Sequence, residues 1–297
     1  MIALLAAACA LIAPQTSFDQ DRSWRDLIKQ VSYGPRVPGT TAHQSCRDYL
    51  LAETKANCDK AALQEFRHEW SRNRQMVTMW NVWGTQNWDK ATTRVVLMAH
   101  WDSRPTADME DSSARRAKPI PGANDGASGV AVLLELMRDF KAKAPEVGIM
   151  YVLSDGEDLG PGLDEMFLGA RAYAQLTMEH RPDYGILLDM IGDKDLKVPM
   201  EPNSLSFAPK LLKALYAHAG EIGLGKSFPS SLGPEIEDDH LPVNEAGIPM
   251  IDLIDFDYEP WHKLSDTPEH CSAESLGKVG TLLESWLRKS PAFKNPK

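Results

Sequence analysis

Apolar positions along the chain recur with two periods in turn. Residues 19–31 carry them at helical spacing, and the rigid turn PRVPGT ends in a Thr that caps a second helix over about 42–55. Residues 62–70 and 75–83 instead alternate, and the polar Ser71-Arg72-Asn73 between them predicts an antiparallel hairpin at one side of a sheet. Beyond it, short and almost uniformly apolar runs at 94–99, 147–154, 184–190 and 248–255 are separated by helical stretches near 127–143, 167–177, 204–222 and 273–288. Strands that are apolar on both faces must be covered on both faces. The pattern therefore predicts an α/β fold: three layers, with a mixed, mostly parallel central sheet and helices on either side. No linker or repeat divides the chain, so residues 19–297 are read as a single catalytic domain.

The segment before that domain reads differently. MIALLAAACALIAP is an apolar run of about 12 residues, too short to cross a bilayer but suited to the apolar core of a secretion signal. No basic residues precede it. Ala6-Ala7-Ala8-Cys9 is also a loose match to a lipoprotein cleavage box, which would anchor the chain through Cys9. Residues 1–18 are thus expected to be a signal or lipoprotein-type segment, and the protein to be exported, periplasmic or secreted, without a transmembrane span.

Composition narrows the partners. With 43% hydrophobic and 25% charged residues the chain is ordinary for a globular protein, and its net charge of −10 offers no basic field for nucleic acid or anionic lipid. A monomer is expected. The cysteines beyond Cys9 are Cys46, Cys58 and Cys271, an odd set with no CxxC spacing, so a thiolate zinc site is not supported. A Cys46–Cys58 pair is geometrically doubtful, because the first lies within a predicted helix and the second beyond its end.

The informative feature is where acidic and imidazole residues fall. His100 and Asp102 follow the strand at 94–99, and Asp125 lies in GANDGASG at a helix entry. Glu157 and Asp158 follow the strand at 147–154, Asp189 ends the next, and Trp261-His262 lies just beyond the last. In an open parallel sheet all of these are carboxyl ends of strands, where ligand crevices form. Singly each is weak: an HxD pair is usually a surface hydrogen bond, and GANDGASG alone reads as a capped turn. Together they would cost several kcal/mol, to order of magnitude, in repulsion and desolvation unless a cation neutralised them. Mixed His and carboxylate ligands without thiolate suit a catalytic Zn2+ with three protein ligands and an open fourth position. Adjacent Glu157 and Asp158 suit a division of labour, one binding metal and the other moving protons.

The ordered motifs HWDSRP, GANDGASGVAVLLEL, SDGED, LLDMIG, EDDH and Trp261-His262 with Asp266 resemble the zinc exopeptidase superfamily and, within it, the glutaminyl cyclases. The stretch from Tyr33 through PRVPGT is similar to the N-terminal region of that branch. The resemblance implies one Zn2+ held by Asp125, Asp158 and His262, with Glu157 as general acid and base. It also implies Asp189 and Asp238 as acidic members of the proton network and Trp261 as the aromatic wall of a pocket for the N-terminal glutamine of peptides, cyclised to pyroglutamate with loss of ammonia. If Asp189 and Asp238 lie close together without an intervening metal, one shared proton between them, or a third hydrogen-bond partner such as His100, is expected. Departures from the family pattern are Glu237 and Lys263, where the animal enzymes carry Gln and commonly Thr, and the missing cysteine pair beside the site. The loop 159–165 lacks a pocket tryptophan, leaving Phe167, Phe256 or Tyr258 to serve. Glu237 is a candidate substrate contact, and His100, Asp102 and His240 are candidates to support the site or to hold a second metal.

The main rival is a dinuclear zinc aminopeptidase, since His100, Asp125, Asp158, Asp189 and His262 supply every ligand type that two ions need. HWDSRP, EDDH and Trp261-His262 match cyclases better. An inactive relative serving as a binding module is a third reading, disfavoured because every chemical position holds a competent residue. The remaining features get plain readings: residues 103–120 a polar rim, His218 a surface residue, His270 a loop residue, His240 a supporting hydrogen-bond residue, and Trp70, Trp80, Trp83 and Trp88 packing residues.

Overall fold

A computed structural model describes residues 16–289. The apolar N-terminal run, with Cys9, lies outside the described residues, and among those described no helix is long and apolar enough to cross a membrane.

Two helices, α1 (Gln20–Val31) and α2 (Thr41–Asn57), precede the hairpin β1 (Lys60–Trp70) and β2 (Gln75–Gln86). There follow β3 (Arg94–His100), the short α3 (Ser113–Arg116), α4 (Ala127–Ala142), β4 (Gly148–Ser154), α5 (Leu168–Ala174) and β5 (Tyr184–Asp189). The chain closes with α6 (Pro202–Phe207), α7 (Pro209–Glu221), α8 (His240–Glu245), β6 (Met250–Ile254) and α9 (Ala273–Lys289). The strands form one sheet in the order β1-β2-β4-β3-β5-β6. The hairpin is antiparallel and pairs antiparallel with β4, whereas β4, β3, β5 and β6 run parallel. This is the expected mixed, mostly parallel sheet.

Strand alternation divides the interior in two. Val95, Leu97 and Ala99 of β3 face a large core that includes Leu27 of α1, Leu133 of α4 and Leu283 of α9. Val96 and Met98 face a smaller one with Tyr173 of α5, Val243 of α8 and Met250 of β6. Each such fully buried aliphatic side chain contributes about 1.5–3 kcal/mol, which is why these strands carry no polar alternation. The tryptophans behave as packing residues where they are buried, Trp70 and Trp88 among them.

Two expectations are corrected. The single helix over 204–222 is broken into α6 and α7 at Ala208, whose backbone (φ −138°, ψ 54°) leaves the helical region before Pro209. A proline lacks the N–H for the helical ladder and crowds the residue before it, so it starts a new helix. His218 is buried rather than on the surface: its Nε2 lies 2.9 Å from Ser285 Oγ, joining α7 to α9. Cys46 and Cys58 are free thiols.

The approach of α4 to the sheet is closest at Gly129, where an added Cβ would lie 2.3 Å from the Leu188 carbonyl oxygen. Gly129→Ala is expected to lower unfolding free energy by about 1–3 kcal/mol, read from the urea midpoint at constant slope; an unmoved midpoint would show that the helix yields freely.

The start of α6 carries a second measurable contribution. The buried Glu201 carboxylate accepts the N–H groups of Asn203 (2.7 Å) and Ser204, accepts that of Ile236 (3.2 Å), and lies 3.5 Å from His240 Nε2. Burial opposes its charge, but His240 and the helix N–H groups win and pull its pKa from 4.5 down to about 2. A depressed folded pKa stabilises above about pH 4.5 and is lost as pH falls toward 2, a contribution of about 3 kcal/mol when complete. The stability gap between wild type and Glu201→Gln should therefore narrow between pH 5 and pH 2 in denaturant titrations; a gap independent of pH would refute the assignment.

Candidate metal centre

Parallel strands ending at one edge bring the chemistry together. His100 is the last residue of β3, Asp189 the last of β5, and residues 155–158 leave β4 at Ser154. Asp125 precedes α4, Asp238 and Asp239 precede α8, and Trp261-His262 follows β6.

The loops are fixed before any ligand arrives. Asp102 accepts the backbone N–H groups of Glu157 (3.2 Å) and Asp158 (3.1 Å), so it pins the SDGED turn. Asp155, beneath that turn, pairs with His43 Nε2 at 2.9 Å and accepts the Trp80 N–H. Asp266 accepts the N–H groups of Asn124 (2.9 Å) and Asp125 (3.3 Å) and the Tyr258 hydroxyl (2.8 Å). The buried Arg36 of PRVPGT donates to the carbonyls of Trp101, Pro121 and Gly122, tying the His100 loop to the Asp125 loop. Gly126 is needed where it stands, since a Cβ there would lie 2.4 Å from the His100 ring.

Two overlapping groups of ligand atoms result, Asp125, Asp158 and His262, and His100, Asp125 and Asp189, each lying within 4.8 Å of one another. In the first, His262 Nε2 is 3.6 Å from Asp158 Oδ1 and 3.8 Å from Asp125 Oδ2. Zinc bonds of about 2.0–2.1 Å in a tetrahedral shell set ligand atoms about 3.3–3.4 Å apart, so these residues fit the ion with little movement. The fit is supported by Asp158 Oδ2, which is buried and has no hydrogen-bond partner. In the second group, His100 Nε2 lies 3.1 Å from Asp125 Oδ1 and 3.2 Å from Asp189 Oδ1.

The electrostatics reflect too many buried acids. Burial, with the charges of Asp158, Asp238 and Asp239, pushes the Glu157 carboxyl well above the ordinary range, against the pull of His100. Burial and Asp125 raise Asp158 to about 7. Burial and Asp189 raise Asp238 strongly, and one oxygen of Asp238 has no partner. Burial would lower the pKa of His100, but hydrogen bonds to Asp102, Asp125 and Asp189 raise it well above that of free imidazole. His100 Nε2 meets Asp189 at 3.2 Å.

Other anticipated residues have definite places. Trp261 stacks on His262 (3.9 Å between ring centroids) and against Phe256 (4.8 Å). Tyr258 is buried on Asp266 and Phe167 is buried, so of the three aromatic candidates Phe256 is the one at the Trp261 wall. Glu237 is exposed. His240 is fully buried beside Glu201 and belongs to neither ligand group, as is true of Asp102. The polar loop 103–120 was expected to be only a rim, and it is more. Arg104 donates to Asp158 and, at 2.9 Å, to Asp108, whose other oxygen meets His262 Nδ1 at 2.9 Å. The signal available in the sequence was an Arg and an Asp in a loop that leaves a strand among carboxylates.

The chain is similar in sequence and fold to several known proteins. The crystal structure of Tannerella forsythia glutaminyl cyclase is similar with a TM-score of 0.88 and 35% identity, covering 93% of this chain and 100% of that one. Aminopeptidase YwaD of Bacillus subtilis (strain 168) is 30% identical over 200 residues, 64% of this chain and 39% of the relative. The glutaminyl-peptide cyclotransferase of Bos taurus is 26% identical over 235 residues, 66% of this chain and 62% of the relative. The chain thus spans less than two thirds of either curated relative. A family model described as Peptidase family M28 matches residues 81–287, most of the sheet and every loop of the site. On that match the chain belongs to peptidase family M28.

Proposed function

We propose that this chain is a zinc-dependent glutaminyl-peptide cyclotransferase, converting the N-terminal glutamine of peptides or proteins to pyroglutamate with release of ammonia. The observation that carries the reading is the juxtaposition of Asp125, Asp158 and His262 with an adjacent, buried Glu157. Asp125, Asp158 and His262 would hold one Zn2+, which when bound supplies Lewis acidity toward the γ-carboxamide. The likeness to the Tannerella forsythia glutaminyl cyclase supports it.

The protein groups divide the remaining work. Glu157 removes a proton from the substrate α-amine, whose nitrogen then bonds to the γ-carboxamide carbon; the C–N bond to the amide nitrogen breaks, and Glu157 returns the proton to the departing ammonia. A carboxyl whose pKa is raised by burial is suited to both halves of that transfer. Asp189 and Asp238 hold the α-amine side of the site, with His100 fixing Asp189. Trp261 and Phe256 form an apolar wall that holds the folded rotamer of the glutamine side chain. Because nucleophile and electrophile belong to one residue, holding that rotamer supplies much of the rate.

One observation favours a second reading. The group His100, Asp125 and Asp189 could take a second ion, as a dinuclear aminopeptidase requires. Metal content and products separate the two. One tightly bound zinc per chain and ammonia release from glutaminyl peptides, lost on chelation and restored by zinc, are expected. Two zincs per chain with leucine release from a chromogenic amide would overturn the cyclase reading. Glu157→Gln should keep its zinc and lose about 10²–10⁴-fold in kcat; unchanged turnover would remove Glu157 from the chemistry.

A further inference from the structure

We infer that Asp108 and Arg104 form a clamp that fixes the metal-facing nitrogen of His262 and couples it to Asp158, making the loop after HWD a working part of the zinc centre. The inference rests on the zinc site of the cyclotransferase reading and deepens it.

His262 has an awkward backbone: its φ of +54° is in the left-handed region, which a β-carbon disfavours. Something outside its own segment must hold it. The Asp108 carboxylate meets Nδ1 of the ring at 2.9 Å. A carboxylate can only accept, so Nδ1 carries a proton and Nε2 is the ring atom left to face a cation. Nε2 is the atom facing Asp125 and Asp158. A carboxylate behind a ligating imidazole sets tautomer, ring direction and ligand basicity together.

Asp108 is itself held. Its second oxygen accepts Arg104 Nε at 3.1 Å and Nη2 at 2.9 Å, and Arg104 Nη1 donates to Asp158 Oδ1. The planar guanidinium therefore spans the supporting carboxylate of one candidate ligand and the carboxylate of another. The chain of contacts runs from His262 through Asp108 and Arg104 to Asp158, and Nε2 of His262 closes it at 3.6 Å from Asp158. Two further bonds brace the same loops against each other: the Met109 N–H donates to the His262 carbonyl at 3.3 Å, and the Leu264 N–H donates to Glu110 at 3.0 Å. Asp108 is partly exposed, at 41% of its side chain, so replacing it leaves the core intact.

Asp108 is a positioning residue, and the test reads metal affinity and ring tautomer rather than activity alone. Zinc dissociation constants of the full chain, measured by competition with a chromophoric chelator, are expected to rise about 10–100-fold in Asp108→Ala. Asp108→Asn, which keeps an acceptor for Nδ1–H without the charge, should fall between the two. Long-range ¹H–¹⁵N spectra should show the Nδ1–H form of His262 in wild type and its loss in Asp108→Ala, while far-UV circular dichroism shows the zinc-free variant still folded. Wild-type protein that binds zinc beside an Asp108→Ala variant of equal affinity would overturn the clamp alone. Wild-type protein that binds no zinc would overturn the clamp and the cyclotransferase reading together.

Discussion

The structure is organised around an imbalance of charge at one edge of a parallel sheet. Asp102, Asp125, Glu157, Asp158, Asp189, Asp238 and Asp239 are all buried there, and the basic side chains in reach are His100, His262, Arg104 and Arg36. Arg36 gives its hydrogen bonds to backbone carbonyls, so it holds loops rather than pairing with any acid. Burial of charge is tolerated only with close partners. The chain meets that condition by spending several acids on loop N–H groups, as Asp102 and Asp266 do, and by leaving Asp125, Asp158 and His262 turned toward a common point.

That division explains how precisely the site must be built. A carboxylate that accepts two backbone N–H groups cannot wander, and the turn it holds cannot wander either. Asp102 therefore positions Glu157 and Asp158 through their own backbone. Asp155 anchors the same turn from below through His43, which stacks on Trp101 with ring centroids 4.3 Å apart. Gly126 and Gly129 let α4 lie against His100 and the Leu188 carbonyl, bringing Asp125 to the edge. These contacts hold the candidate ligands on a fixed frame at the sheet edge.

Much of this could be read from the sequence, for identifiable reasons. Runs such as VGIMYVLS have no polar alternation, so they had to be strands covered on both faces, and the acids that follow them had to lie at one edge. Which carboxylates face each other across that edge was implied only by the resemblance to the glutaminyl cyclases, since it depends on strand order and on the paths of long loops. What stayed hidden depends on side-chain pairing across long loops. Arg104 and Asp108 look like any polar loop residues until the fold carries His262 beside them. His218 looked like a surface residue, whereas the fold buries it with its Nε2 2.9 Å from Ser285 Oγ of α9. Glu237 departs from the family pattern, and it lies exposed while its neighbour Asp238 is buried.

His100 meets four of the acids at this edge. Its Nε2 lies 3.1 Å from Asp125 and 3.2 Å from Asp189. Those distances are normal for a ring N–H shared between two carboxylate oxygens. Asp102 lies 3.5 Å from Nδ1 on the other side of the ring and, with Asp125 and Asp189, raises the pKa of the imidazole. A protonated imidazole carries part of the neutralising charge into the site. His100 thus ties the end of β3 to the Asp125 loop and to the end of β5.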